Sequence, residues 1–232
     1  MFAVIFEVLP RKERFEEYLA LAKRLRPILE TIDGFVDNER FESRGRAGWI
    51  LSHSTWRDEK SVVRWRTTAE HHIVQEQGRA EVLADYHIRV GDVTADSDPP
   101  KQAPVHEQRF DETESGAAKL VTLTEITPQE GVTSGSFADL ASTLGFNPKD
   151  DGVVDSDFFA SIYNPGKVAL LISWRDAKAA DVWTPIKVAG IQNLRHRKTR
   201  IIRDYGMFDR RESPQFYPDA EGRETRHSQP VR

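Results

Sequence analysis

The stretch from Trp65 to Arg79 holds the residues best suited to chemistry. His72, Gln75 and Arg79 stand at i, i+3 and i+7, a spacing that lines imidazole, amide and guanidinium along one helix face. Such a face could bind an enol or a carboxylate, with the histidine titrating near neutral pH. The same three residues also suit a solvated polar face. His71 adjoins His72, about 100° further round a helix, so only one of the two rings can point squarely into a pocket. Trp65 serves equally as pocket wall and as core. His53 alternates in phase with Trp49, Leu51 and Thr55, which makes it either a pocket-lining or a core histidine. Asn38 and Tyr86, on the second and last strands, could add hydrogen bonds.

Other chemistries lack their residues. The chain contains no cysteine, which excludes a thiolate metal site, an iron–sulfur cluster, a cysteine nucleophile and a disulfide scaffold. His71-His72 is not a chelating i, i+4 pair, and no carboxylate–histidine spacing resembles a zinc or non-haem iron site, so no metal is expected. A Gly-rich phosphate loop and a serine nucleophile elbow are absent. Lys and Arg number 33 against 37 Asp and Glu, a formal net charge of -4, which argues against a nucleic-acid partner. No apolar run approaches the roughly 20 residues of a membrane span, and the N-terminus does not read as a signal peptide. The expectation is a soluble, cytoplasmic protein with no membrane partner.

The elements that must position these residues come in two sets. A shift of 118 positions carries Trp56-Arg57-Asp58 onto Trp174-Arg175-Asp176 and Trp65 onto Trp183. It also pairs Glu7 with Glu125, Asp33-Gly34 with Asp151-Gly152, Phe41 with Phe159, Ser43 with Ser161 and Arg79 with Arg197. His71 and His72 fall on Ala189 and Gly190, so these histidines belong to the first copy alone. Each copy reads β-α-β-β-α-β, the ferredoxin-like split unit. In the first copy, a strand ends at Pro10, a helix follows with a break or a new short helix at Pro27, and strands cover 35–43 and 48–56. Asp58 caps a helix, a second helix runs from about Ala69 to Leu83, and Tyr86, Ile88 and Val90 alternate in a closing strand. In the second copy the pattern predicts a strand from Leu120 and a helix around Phe137, Leu140 and Leu144. Strands near 152–161 and 167–174, helices near 176–198 and a last strand near 199–206 complete it. The fold class is α+β: two tandem ferredoxin-like units, each burying the greasy face of its sheet against the other, as one barrel within a single chain. The boundaries are 1–93 for the first unit, 94–117 for a Pro-rich acidic linker, 118–208 for the second, and 209–232 for an extended tail. That tail is compatible with a homodimer.

Gly48-Trp49-Ile50-Leu51-Ser52-His53-Ser54-Thr55-Trp56-Arg57-Asp58-Glu59-Lys60 resembles the third strand and helix start of antibiotic biosynthesis monooxygenase domains. So does Trp65 followed by His71-His72, Gln75 and Gly78-Arg79, and then Asp85-Tyr86-His87-Ile88-Arg89-Val90. The resemblance implies the dimeric α+β barrel fold, with a pocket between sheet and helices of the first unit. It implies a cofactor-independent monooxygenase that brings dioxygen to a small aromatic substrate such as a quinol, phenol or anthrone. Trp65 would then shape the pocket, His72 act as base, and Arg79 or Tyr86 stabilise negative charge, with His71, His53, Asn38 and Gln75 contacting substrate. Two alternatives go with it: haem binding or degradation, with His72 as axial ligand, and a non-catalytic small-molecule-binding module.

Overall fold

The structure is a computed structural model that describes residues 1–129, 140–186 and 189–215. Its strands are β1 (Phe2–Pro10), β2 (Phe35–Ser43), β3 (Ile50–Trp56), β4 (Leu83–Asp96), β5 (Leu120–Pro128), β6 (Val153–Ser161), β7 (Val168–Trp174) and β8 (Ile191–Gly206). The helices are α1 (Phe15–Leu29), α2 (Glu59–Arg66), α3 (Ala69–Gln77), α4 (Leu140–Thr143) and α5 (Ala177–Ala180), with a π-helical turn over Gly78–Val82. The strands close into one antiparallel barrel in the order β1-β3-β2-β6-β7-β5-β8-β4. The fold is α+β, as the pattern predicts. No described helix is long and apolar enough to cross a membrane.

Local chemistry sets the element ends. Asp58 Oδ1 accepts the Ser61 N–H at 2.8 Å and opens α2, and Asp176 does the same for Ala179 and α5. Gly34 before β2 has φ +87°, and a Cβ there would lie 2.0 Å from Ser61 Oγ. Only glycine fits both the backbone and the approach of α2. The break expected at Pro27 does not occur, because Pro27 sits in the final turn of α1. The helix forfeits one N–H bond there and stops two residues later, with Glu30 N–H reaching Arg26 O at 3.0 Å.

The second half departs more from expectation. Phe137 lies outside the described residues, and α4 spans only Leu140–Thr143. The helices expected over 176–198 reduce, among the described residues, to α5, and the last strand starts at Ile191 rather than 199. Strand register is the reason. Ile191 pairs with Pro128 and Arg197 with Leu123, so β8 runs the whole length of β5. Arg89 pairs with Ile5 in the same way, which makes Arg197 the counterpart of Arg89 and not of Arg79.

Strand alternation divides the side chains into two sets. Ile5, Phe41, Leu51, Val121, Leu123, Phe159, Leu171 and Ile201 fill the barrel interior. Beside them lie two buried ionic groups. Arg89 pairs with Glu7 and donates to Ser173 Oγ at 2.6 Å; Arg197 pairs with Glu125 and donates to Thr55 Oγ1 at 3.0 Å. Arg46 bridges Glu7 and Asp157, and Lys167 bridges Glu125 and Glu39. Ser43 and Ser161 donate to Asp157 and Glu39 at 2.7 and 2.5 Å. Each of these bonds in one group has a counterpart in the other.

Removing one partner strands a buried charge. Glu7→Ala is expected to cost about 3–5 kcal/mol, read as a fall in the urea midpoint. Asp33→Asn, at the exposed pair with Arg57, is expected to leave that midpoint nearly unchanged.

His53 also faces the barrel interior and is 3% exposed. Burial, and then the positive Arg197, Arg195 and Lys167, hold its protonation well below the ordinary histidine range. His196 is pushed down to about 4, chiefly by burial and then by Lys198. Both bind a proton more readily unfolded than folded. Stability contributed by their neutral forms is complete above the unfolded value of about 6.5 and erodes as pH falls from there towards 4. The melting temperature is expected to drop over that window. His53→Leu, which places the residue type of Leu171 at the matching position, is expected to flatten the drop.

Candidate functional site

A cavity of about 230 Å³ lies between the outer face of β1, β3 and β4 and the helices α1, α2 and α3. The alternation that sends Ile5 and Leu51 inward sends Val4, Phe6, Ile88 and Val90 outward to form its floor, and Leu21, Ala22, Leu25, Val62 and Val74 cover it from the helices. Ser52 and Ser54, flanking the inward His53, supply its small polar positions. Asn38 spans β2 and β3, donating to Ser52 Oγ at 3.1 Å and to His53 O at 3.0 Å.

Trp65 and His71 form one wall. Their rings stack at 4.0 Å between centroids, with 15° between planes. His71 Nδ1 lies 3.0 Å from the Trp65 carbonyl oxygen. A carbonyl can only accept, so Nδ1 carries the proton and Nε2 is the acceptor. Burial pushes the His71 pKa down to about 4, with the charge of His72 acting in the same direction and the carbonyl bond opposing it. The ring is neutral at physiological pH. Gln75 Nε2 sits 3.4 Å from each ring nitrogen.

The cavity also carries a cationic group. The π-helical turn carries Arg79 inward, where Nη1 donates to Tyr86 OH at 3.0 Å and to Met207 O at 2.8 Å. Arg210 Nη1 reaches the same phenol oxygen at 2.6 Å. Arg26, Arg40, Arg66 and Arg203 also line the cavity, against Glu59 as the one carboxylate among the described lining residues. That imbalance favours an anionic guest.

The cavity thus brings together Trp65, His71, Gln75, Arg79, Tyr86 and Asn38. Two expected residues lie elsewhere. His72 points away from the lining, its side chain 46% exposed and its Nε2 3.4 Å from Glu76 Oε1. Once His71 is pinned to Trp65, the 100° step around α3 sends its neighbour outward. His53 faces the barrel interior, as described above. Sequence reasoning missed Arg203, Tyr205, Arg210 and Gln215, which reach the cavity from β8 and the segment after it. The alternation of Arg203 and Tyr205 was the only available signal. In the second half, Leu144, Phe146 and Trp183 pack with Trp174 into the matching space.

A haem needs an axial imidazole and room for a porphyrin. His71 has the tautomer of a ligating histidine, but its ring lies flat on Trp65. The cavity is also smaller than the ~300–1,000 Å³ typical of drug-sized ligands. Haem does not fit this arrangement. No group of three or more His, Asp or Glu among the described residues could hold a metal ion.

The family model described as antibiotic biosynthesis monooxygenase matches residues 1–77. A protein of Pyricularia oryzae named jasmonate monooxygenase ABM is 46% identical over 225 residues, covering 95% of this chain and all of its own. Two aldoxime dehydratase structures are similar in fold alone. One has a TM-score of 0.53 at 12% identity, covering 86% of this chain and 80% of that one. The other, in complex with butyraldoxime, has 0.54 at 11% identity, covering 87% and 79%. The chain belongs to the antibiotic biosynthesis monooxygenase family.

Proposed function

We propose that this monooxygenase oxidises a small, mostly apolar carboxylic acid held in the cavity beside Trp65. The observation that carries the reading is the lining: apolar floor and walls, with six arginines against one carboxylate among the described residues. Apolar walls take the body of the substrate, and the group built from Arg79, Tyr86 and Arg210 takes its anionic group. Jasmonate is the first candidate, because it stands in the name of the relative 46% identical to this chain. The aromatic quinols, phenols and anthrones implied by the sequence are the second, since the Trp65–His71 stack offers a flat face to a ring.

The reading is cofactor-independent. A carbon acid that loses a proton can hand electrons to dioxygen itself. An activated methylene and one dioxygen then yield a carbonyl and one water: both C–H bonds break, one oxygen atom stays on carbon, and the other leaves with the two hydrogens. The protein needs a dry pocket, an acceptor for the proton and donors for the developing negative charge. His71 Nε2, rather than His72, is the acceptor in the cavity. A saturated carbon without such acidity would instead require two electrons and two protons from an external reductant. We further infer that the barrel is a tandem pair of βαββαβ units, supported by the repeated element order and the matched ionic groups. Among the described residues the first unit holds the cavity, while Leu144, Phe146, Trp174 and Trp183 pack together in the second.

Oxygen uptake and product mass are to be followed under isotopically heavy dioxygen with jasmonate, quinols and anthrones, with and without added NADH. One labelled oxygen atom in the product of an acidic substrate is expected without reductant. Arg79→Met is expected to raise KM for the acid about ten- to hundredfold and leave the methyl ester unaffected. An enzyme that takes the ester as readily as the acid, before and after substitution, refutes the anionic-substrate reading. A strict need for NADH refutes cofactor independence.

A further inference from the structure

The segment after β8 is built into the wall of the cavity. Met207 N–H donates to Tyr86 O at 3.0 Å, and Gly206 N–H reaches Asp209 O at 2.7 Å. The Glu212 carboxylate accepts from Thr113 Oγ1 at 2.6 Å and from the backbone N–H groups of Glu114, Ser115 and Asp204 at 2.6, 2.9 and 2.6 Å. Gln215 Nε2 donates to Gln75 Oε1 at 3.1 Å, and Pro214 and Gln215 line the cavity beside α3. Between these anchors Arg210 reaches Tyr86.

Tyr86 therefore receives two guanidinium donors, Arg79 at 3.0 Å and Arg210 at 2.6 Å. A phenol oxygen has two acceptor positions and one proton, and a guanidinium cannot accept. The proton cannot go to either arginine. Among the described residues Tyr86 O–H meets no acceptor, although the residue is 8% exposed and its ring packs edge-on against Phe6 at 6.0 Å. Tyr86 lines the cavity.

We infer that Tyr86 is the hydrogen-bond donor that recognises the anionic group of the substrate, and that Arg210 is a positioning residue that holds its proton towards the cavity. This rests on the anionic-substrate reading above and names the group that confers it. Two cations behind the phenol polarise its O–H, so the donor suits a carboxylate and gains little from a neutral alcohol. Arg210 joins Arg203, Tyr205 and Gln215 in completing, from β8 and the segment after it, a cavity lined mainly by the first half of the chain.

The test is calorimetric binding of octanoate and 1-octanol at a mildly alkaline pH to the full chain and to Tyr86→Phe, Arg210→Met and Arg210→Lys. The wild-type chain is expected to bind the acid more tightly than the alcohol. Tyr86→Phe should weaken octanoate about tenfold or more and leave octanol unchanged. Arg210→Met should weaken octanoate in the same direction, and Arg210→Lys, which keeps a donor to the phenol oxygen, should restore most of it. Equal octanoate affinity in Tyr86→Phe and wild type overturns the donor role while leaving the anionic-substrate reading standing. Absence of any acid preference in the wild type overturns both. The two Arg210 variants keep the outcome decisive if Tyr86→Phe folds poorly: an octanoate loss that Lys does not rescue, or that octanol shares, removes the positioning role.

Discussion

Two buried carboxylate–arginine pairs, Glu7 with Arg89 and Glu125 with Arg197, link neighbouring strands inside the barrel. Desolvating such charges is expensive, and the cost is offset by the partners that the charged groups find. Here each arginine also donates to a hydroxyl on the opposite strand set, Ser173 or Thr55, and a second cation, Arg46 or Lys167, shares each carboxylate. A slip of one residue in β1 or β5 would turn Glu7 or Glu125 out of the interior and leave an arginine buried alone. The ionic groups therefore penalise every register except one.

Register in turn decides what lines the cavity. With Glu7 and Ile5 inward, Val4 and Phe6 must face the helices, and with His53 inward, Ser52 and Ser54 must do so. The strand set that makes the interior thus also makes the floor of the site. The cavity sits on the outside of a rigid sheet, with the helices as its other wall, so its shape follows helix length and side-chain volume. Where the first half has α2, α3 and a π-helical turn, the described residues of the second half have the short α5 and a strand already started at Ile191. Trp183, Phe146 and Leu144 close that space. Among the described residues, the chain thus pairs a cavity on one side with a packed aromatic cluster on the other.

Much of this was legible in the residues. The 118-residue shift, the element order, the Asp58 and Asp176 caps and the Asp33-Gly34 turn follow from local rules about alternation, capping and turn chemistry. Six candidate site residues, Trp65, His71, Gln75, Arg79, Tyr86 and Asn38, do converge on one cavity. The failures have one source, which is rotation and register. Adjacent histidines on a helix are equivalent as types, and only the stack of His71 on Trp65 settles which ring is buried. His53 had the right strand phase for a buried residue, but phase alone does not say which face of a sheet is barrel and which is pocket.

Alternation and capping residues, both local properties, together with the spaced tryptophans, by themselves determined the α+β class, the order of the elements and the neighbourhood of the cavity. Tertiary structure alone decided that β8 starts early, that Arg197 matches Arg89, and that Arg210 and Gln215, just beyond β8 and beside β4, finish a cavity begun by Val4. Those choices depend on which strands meet across long stretches of chain. They are set by the cost of unpaired buried charge and by volume to be filled, neither of which any short window of sequence contains.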